Sequence, residues 1–155
     1  MFKKLTIVAI PLLLAACAAP KYTVDPIPQD KQSKEITIVR DDATRDIFLQ
    51  SMQEWCLDNA HRCKVVNDGT PPEAPELTLT YISRWSWDFS TFIADANIKA
   101  YKNDQKVGNV EFKAANNSNP DKWGDDRKRI MAMMDLLFSL STPEEVQAKI
   151  KSGEM

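Results

Sequence analysis

Cysteine and histidine, which often serve as nucleophiles, general bases and zinc ligands, are scarce in this chain. The 155 residues include three cysteines, Cys17, Cys56 and Cys63, and one histidine, His61. The sequence contains no Gly-x-Ser-x-Gly motif, no Walker loop and no cluster with metal-ligand spacing. Two thiols and one imidazole at this spacing match no common zinc pattern. We therefore expect no catalytic residue, no metal site and no cofactor, and we expect that the protein is not an enzyme.

Cys17 stands at the end of an N-terminal secretion signal. Lys3 and Lys4 precede an apolar run from Leu5 to Leu14, which is too short for a permanent membrane span and typical of a signal peptide. The run ends in Leu14-Ala15-Ala16-Cys17. This motif resembles the lipobox of bacterial lipoproteins, in which an aliphatic residue and two small residues precede the cysteine that is lipidated. The alternative is a plain secreted protein with an Ala-x-Ala cleavage site.

The lipobox resemblance implies that residues 1–16 are removed and that Cys17 becomes an acylated N-terminus that holds the protein on a membrane. Ala18, in place of an aspartate, resembles the outer-membrane sorting signal of enterobacterial lipoproteins, so we expect the periplasmic side of the outer membrane. Cleavage removes Lys3 and Lys4 and no acidic residue, which changes the net charge from −2 to −4. A mildly acidic domain is not expected to bind nucleic acid. The prolines among polar residues predict a flexible tether over residues 17–34.

Cys56 and Cys63 are the two cysteines that remain once Cys17 is lipidated. In an oxidising envelope two such cysteines usually pair. A continuous α-helix would hold them about 10.5 Å apart, which is beyond the reach of a disulfide. We therefore predict a Cys56–Cys63 disulfide and a helix that ends before Arg62. A metal pair with His61 and a redox-active dithiol are the alternatives.

The stretch from Leu77 to Ala115 has the strongest strand pattern. Three runs place apolar residues at every second position, which is the period of a half-buried strand. The apolar positions are Leu77, Leu79 and Tyr81, then Phe92, Ala94, Ala96, Ile98 and Ala100, then Val110, Phe112 and Ala114. Ile93 has the phase of the polar residues. Asn103-Asp104 tolerate positive φ and predict a two-residue hairpin turn.

Two helices are predicted to cover this sheet. Apolar residues recur on one stripe of a segment from Ala43 to about Asn59, and on a clearer stripe of a segment from about Lys122 to Leu140. The second stripe includes Met133 and Met134, for which we expect core packing. Thr142, Pro143 and Glu145 start a short third helix, which we expect to contribute little. With short strands at 35–40 and 64–66, the chain predicts one α+β domain over residues 35–155: an antiparallel sheet of four to five strands with two helices on one face.

Trp85, Trp87 and Phe89 lie between the first two strand runs. Exposed, they would form an aromatic patch that meets a partner or a glycan. Paired across strands or capping the core, the two tryptophans would be structural, and the sequence favours this interpretation. Trp85, Trp87 and Phe89 are nevertheless the candidate partner-binding residues.

The region from Leu77 to Phe138 resembles the Sbal-type lipoproteins, small proteobacterial lipoproteins of unassigned function. The resemblance is carried by Leu77-Thr78-Leu79-Thr80-Tyr81, Trp87-Asp88-Phe89, Ala96 to Tyr101, Lys102-Asn103 and Lys122-Trp123. The chain has Asp104 where the family usually has glycine, and Asn116-Asn117-Ser118-Asn119 where the family has a glycine-rich loop. The resemblance implies an uncharacterised envelope lipoprotein and assigns no activity.

Three functional hypotheses follow. The first is a non-catalytic lipoprotein that binds or supports another envelope protein. The second is an immunity or inhibitor lipoprotein that neutralises an envelope-targeted enzyme. The third is a ligand carrier, which would need a cavity lined by Trp85, Trp87 and the methionine-rich helix.

Overall fold

The computed structural model describes residues 19–115 and 118–155, so the predicted signal peptide and Cys17 lie outside the described residues. Six strands form one sheet in these ranges: β1 (Lys21–Asp25), β2 (Glu35–Val39), β3 (Arg62–Val66), β4 (Leu77–Asp88), β5 (Ser90–Lys102) and β6 (Gln105–Lys113). Three α-helices pack against it: α1 (Asp46–Asp58), α2 (Asp126–Leu137) and α3 (Pro143–Lys151). Every helix in these ranges is too short or too polar to span a bilayer.

The three long strands form the antiparallel meander that their alternation predicts. β4 pairs with β5, and β5 pairs with β6. Asn103 and Asp104 connect β5 to β6 with φ angles of 50° and 61°. Positive φ at both central residues is the requirement of a type I′ turn, whose twist matches that of the flanking strands. The predicted two-residue turn is confirmed.

A β-bulge in β5 changes which side chains reach the core. Trp85 pairs with Ile93, whereas the residue before Trp85 pairs with Asp95, so Ala94 has no partner on β4. The extra residue shifts the alternation by one position. Ile93 therefore lies on the core face and is fully buried. The prediction that Ile93 shares the polar face is wrong.

The sheet is mixed, with the strand order β1-β6-β5-β4-β2-β3. β2 runs parallel to both of its neighbours, β3 and β4. Helix α1 connects β2 to β3, and the loop 67–76 connects β3 to β4. Each connection carries the chain back to the starting end of the sheet, which parallel pairing requires. The α+β class is confirmed, but the sheet has six strands rather than four or five and is not purely antiparallel.

The first strand lies in the segment that the sequence predicts to be a tether. β1 pairs along its whole length with the outer edge of β6. Tyr22 and Ile27 are buried, and the Ile27 N–H donates a hydrogen bond to the Leu137 carbonyl at 2.9 Å. Gly108 leaves the space for this packing, because a Cβ there would lie 2.7 Å from Ile27 Cγ1. The prediction of a flexible tether over 17–34 is therefore wrong for residues 19–34, which fold onto the domain.

Residues from all three helices join one hydrophobic cluster with the inner face of the sheet. Met133 and Met134 of α2 are fully buried, so they pack in the core as predicted. α3 starts with the predicted capping box, in which Thr142 and Glu145 each accept a hydrogen bond from the other's backbone N–H. Two apolar side chains of α3, Val146 and Ile150, are buried. The core is thus covered by three helices rather than two.

Candidate contact site at the hairpin tip

Three aromatic side chains are exposed together where β4 turns into β5. The exposed fractions are 70% for Trp87, 87% for Phe89 and 41% for Trp123. The rings of Trp87 and Phe89 lie 6.3 Å apart, and the Trp123 indole N–H donates to the Asp88 carbonyl at 2.8 Å. We call Trp87, Phe89 and Trp123 the hairpin tip. Large apolar side chains grouped on a surface usually mark a contact with another molecule.

Phe89 makes the turn in a backbone conformation that a bulky residue adopts at a cost. Its φ is 59°, in the left-handed region that costs an L-residue roughly 1–2 kcal/mol. Glycine or asparagine would make this turn with less strain. Because the Phe89 ring is exposed, no packing in the core offsets this conformational free energy. Strained backbone conformations that core packing does not offset are concentrated at functional sites, which makes Phe89 a candidate functional residue.

Trp85 does not share this exposure. Its ring is half-buried against the core and meets the Phe48 ring edge-on at 6.5 Å. Its indole N–H donates to Asp126 Oδ2 at 2.9 Å, and the Arg45 guanidinium lies 5.2 Å from the ring centre. Trp85 thus has the structural role that the sequence favours for it, whereas Trp87 and Phe89 face solvent.

A buried lysine holds the tip in place. The Lys122 side chain is 1% exposed, and its ammonium group donates to Asp88 Oδ2. The same ammonium lies 4.6 Å from the Trp123 ring centre and 5.8 Å from that of Phe92, distances at which a cation is attracted to an aromatic face. Phe92 is adjacent to Ile93 and points to the opposite face of the sheet, where Lys122 covers it. The segment Pro120–Trp123 is therefore fastened across the end of the hairpin.

Arg129 holds the segment Pro120–Trp123 through hydrogen bonds to its backbone. It is fully buried and donates to the carbonyl oxygens of Lys122, at 2.9 Å, and of Asp121. Burial lowers the pKa of this guanidinium below its usual range, and nearby acidic groups offset the effect. A side chain at Gly124 would collide with it, because a Cβ there would lie 2.1 Å from Arg129 Nη2. The lack of a side chain at Gly124 therefore lets the loop close around Arg129.

The cysteines and the histidine lie away from the hairpin tip. A disulfide joins Cys56 of α1 to Cys63 of β3, with their Cα atoms 6.2 Å apart. Helix α1 ends at Asp58, so the chain turns back before Arg62, as predicted. The His61 imidazole stacks on Trp55 at 5.0 Å, and its Nδ1 is 3.1 Å from the Ser33 carbonyl oxygen. Partial burial, followed by the charge of Lys34, lowers the His61 pKa.

The helices leave part of the opposite sheet face open. A shallow groove of about 370 Å³ crosses strands β1, β6, β5 and β4 there. We call this surface the open face. Its side chains come from alternate positions of the four strands: Lys21, Thr23, Ile82, Arg84, Asp95, Asn97, Glu111 and Lys113. Arg84 pairs with Asp95, and Ile82 is an exposed apolar side chain among these polar groups.

The site combines predicted and unpredicted residues. Trp87 and Phe89 belong to the predicted set, whereas Trp123 enters the site from 34 residues further along the chain. The Lys122-Trp123 pair is one of the segments that carry the resemblance to the Sbal-type lipoproteins. It was the one indication in the sequence that the loop before α2 contributes to a site. No group of three or more His, Cys, Asp or Glu side chains with metal-binding geometry occurs in the described ranges.

No protein-family model and no curated protein sequence matches the chain, so the resemblance to the Sbal-type lipoproteins stays a prediction. A crystal structure of a minor lipoprotein from Acinetobacter baumannii is similar over 78% of this chain and 92% of that chain, with 6% sequence identity and a TM-score of 0.30. A likeness at this level supports no inference about function.

Proposed function

We propose that this protein is a non-catalytic lipoprotein of the bacterial envelope, anchored through Cys17, whose domain binds another envelope protein through its open face. The proposal keeps the first of the three functional hypotheses. Its anchor is supported by the Leu14-Ala15-Ala16-Cys17 motif and by the resemblance to the Sbal-type lipoproteins. The outer membrane is the proposed site because Ala18 follows the cysteine.

One observation carries the binding role: the helices cover one face of the sheet and leave a groove on the other. The groove has charges of both signs, and Ile82, whose side chain is 61% exposed, lies at its β4 side next to Asn97. Protein–protein interfaces commonly combine exposed apolar side chains with surrounding polar groups. The same groove has no histidine and no cysteine, and the single histidine is stacked on Trp55, which favours binding over catalysis.

Site-specific cross-linking in the native envelope tests this role. A photo-reactive phenylalanine analogue replaces Ile82 on the open face or, as the matched control, Leu57, an exposed apolar residue of α1. We expect one defined protein adduct from position 82 and none from position 57. The adduct's protein is then purified, and Ile82→Asp should weaken its binding at least tenfold, about 1.4 kcal/mol. Equal adducts at both positions, or binding unchanged by Ile82→Asp, would reject the open face as the interface.

Mass spectrometry of the protein extracted from the envelope tests the anchor separately. The expected N-terminal peptide begins at an acylated Cys17. A chain that begins at Met1, or at an unmodified Cys17, would reject the anchor whatever the outcome of the cross-linking.

A further inference from the structure

The direction of β1 relates the predicted anchor to the hairpin tip. Lys21, the first residue of β1, pairs with Lys113 of β6, which pairs with Asp95 of β5, which pairs with Arg84 of β4. These four residues form one row across the sheet. Beyond this row β4 and β5 continue to the turn at Phe89, whereas the paired parts of β1 and β6 end. The chain therefore enters the sheet at the end from which the aromatic hairpin projects.

The lengths of the two segments are matched. Cys17 precedes Lys21 by four residues, so its Cα lies within about 14 Å of the Lys21 Cα. Asp88 lies four residues beyond Arg84, which places the tip about 13 Å past the row. A plane that touches the tip is thus within reach of Cys17. This limit on the distance between Cys17 and the sheet exists because β1 is part of the sheet. A flexible tether of 18 residues would not restrict the distance in this way.

We propose that the hairpin tip inserts into the interface of the same bilayer that holds the lipid on Cys17. This inference rests on the proposed anchor. The domain is then held at two points, with β4 and β5 directed at the membrane and the open face directed sideways into the aqueous compartment. Its orientation on the membrane is fixed rather than free.

The chemistry of the tip suits a lipid interface. Tryptophan combines a large apolar ring with one N–H donor and is enriched where hydrocarbon meets headgroups. The tip is a projecting turn rather than a groove, so it presents its three rings outward. Two acidic groups beside it are already bonded, Asp88 to Lys122 and Asp126 to Trp85. The strained, exposed Phe89 also gains an apolar environment that the folded domain does not provide.

Charge plays a secondary part in this contact. The row behind the tip carries three basic side chains, Lys21, Lys113 and Arg84, and one acidic side chain, Asp95, at the level where phosphate groups would lie. The chain after residue 16 has a net charge of −4, so general attraction to anionic lipid is not expected. Insertion should therefore occur in zwitterionic bilayers and change little with salt concentration.

Quenching of tryptophan fluorescence by brominated lipids tests the insertion. The acylated full-length protein is reconstituted into phosphatidylcholine vesicles with bromine on the acyl chains. We expect quenching in the unaltered protein and a roughly twofold smaller fraction quenched in Phe89→Ser, which keeps all four tryptophans but weakens insertion of the apolar tip. The matched control, Leu57→Ser, removes an exposed apolar side chain from α1 and should be quenched like the unaltered protein. Circular dichroism spectra of both variants verify the fold.

The outcomes separate this inference from the proposed function. Acylated protein that stays on the vesicles without tryptophan quenching would overturn tip insertion and leave the anchor intact. A chain that mass spectrometry shows to be unacylated would overturn both. In the native envelope, a photo-reactive analogue at Phe89 should form adducts with lipid, and adducts mainly with one protein would mean that the tip is a protein-binding site instead.

Discussion

The ammonium group of Lys122 donates a hydrogen bond to the carboxylate of Asp88, which lies 34 residues earlier in the chain, and this ion pair fastens the loop before α2 to the end of the β4–β5 hairpin. The two partners differ in environment, because the Lys122 side chain is 1% exposed and that of Asp88 is 36% exposed. Of the pair, only the lysine is buried, and Trp123 of the hairpin tip contacts both partners. The pair therefore links the loop that carries Trp123 to the end of the strand that carries Trp87.

The first prediction compares the two halves of this ion pair. Asp88→Asn removes the negative charge that the buried Lys122 ammonium contacts and should lower the free energy of unfolding by about 3 kcal/mol. Lys122→Met should cost less, about 1 kcal/mol, because water solvates the partly exposed Asp88 carboxylate that remains. Urea unfolding followed by circular dichroism measures both variants. A larger loss for Lys122→Met than for Asp88→Asn would contradict this account.

The second prediction concerns the disulfide. Replacing both Cys56 and Cys63 by serine frees a short loop in the unfolded chain and should lower the unfolding free energy by about 2.5 kcal/mol in the chain-entropy model. Reduction of the unaltered protein should give a similar loss, and a reducing agent should have no further effect on the double variant. Urea unfolding with and without dithiothreitol is the measurement. Equal stability of the variant and the oxidised protein would show that the bridge does not stabilise the fold.

The third prediction concerns α3, which the sequence pattern marks as a minor element. Ile150 is buried in the common core, so Ile150→Ala should lower the unfolding free energy by about 2–3 kcal/mol through lost burial and a residual cavity. Lys149→Ala, the exposed neighbour on the same helix, should change it by less than about 0.5 kcal/mol. Thermal and urea unfolding distinguish the two variants. If neither substitution changed the unfolding free energy, α3 would contribute little to the stability of the fold.

The fourth prediction concerns pH. Burial lowers the pKa of His61 in the folded protein below its ordinary value of 6.5. The unfolded chain then binds a proton more readily than the folded one, so the stability contributed by neutral His61 is present above about pH 6.5 and is lost as the pH falls through the folded pKa. Urea unfolding at pH 7.5 and pH 5.5 measures this loss. His61→Phe keeps an aromatic ring on Trp55 and should show a smaller loss, whereas an unchanged pH dependence would assign it to other groups.

Several local features could be predicted from the sequence because neighbouring residues decide them. The Asn103-Asp104 turn follows from the tolerance of both residues for positive φ. The capping box of α3 needs only Thr142, Pro143 and Glu145 at their fixed spacing. The end of α1 before Arg62 follows from the limited reach of a disulfide between two residues seven apart.

Other features depend on partners that lie far away in the sequence. The segment Lys21–Asp25 has two prolines shortly after it and one before it, and it becomes a strand only because the edge of β6 is free to pair with it. The bulge at Ala94 appears in no local pattern, and it moves Ile93 from the polar phase to the core. Trp123 joins the hairpin tip only because buried Lys122 and Arg129 hold its loop there.

The sequence by itself determined the periodicity of the strands and helices, the turn residues, the caps and the motif at Cys17, because each depends on residue types within a few positions. Only the tertiary structure decided the parallel placement of β2, the membership of β1 in the sheet and the position of the hairpin tip at the end where the chain enters. These depend on which edges and apolar surfaces remain unpaired once the central strands have assembled, and local preference does not encode that competition.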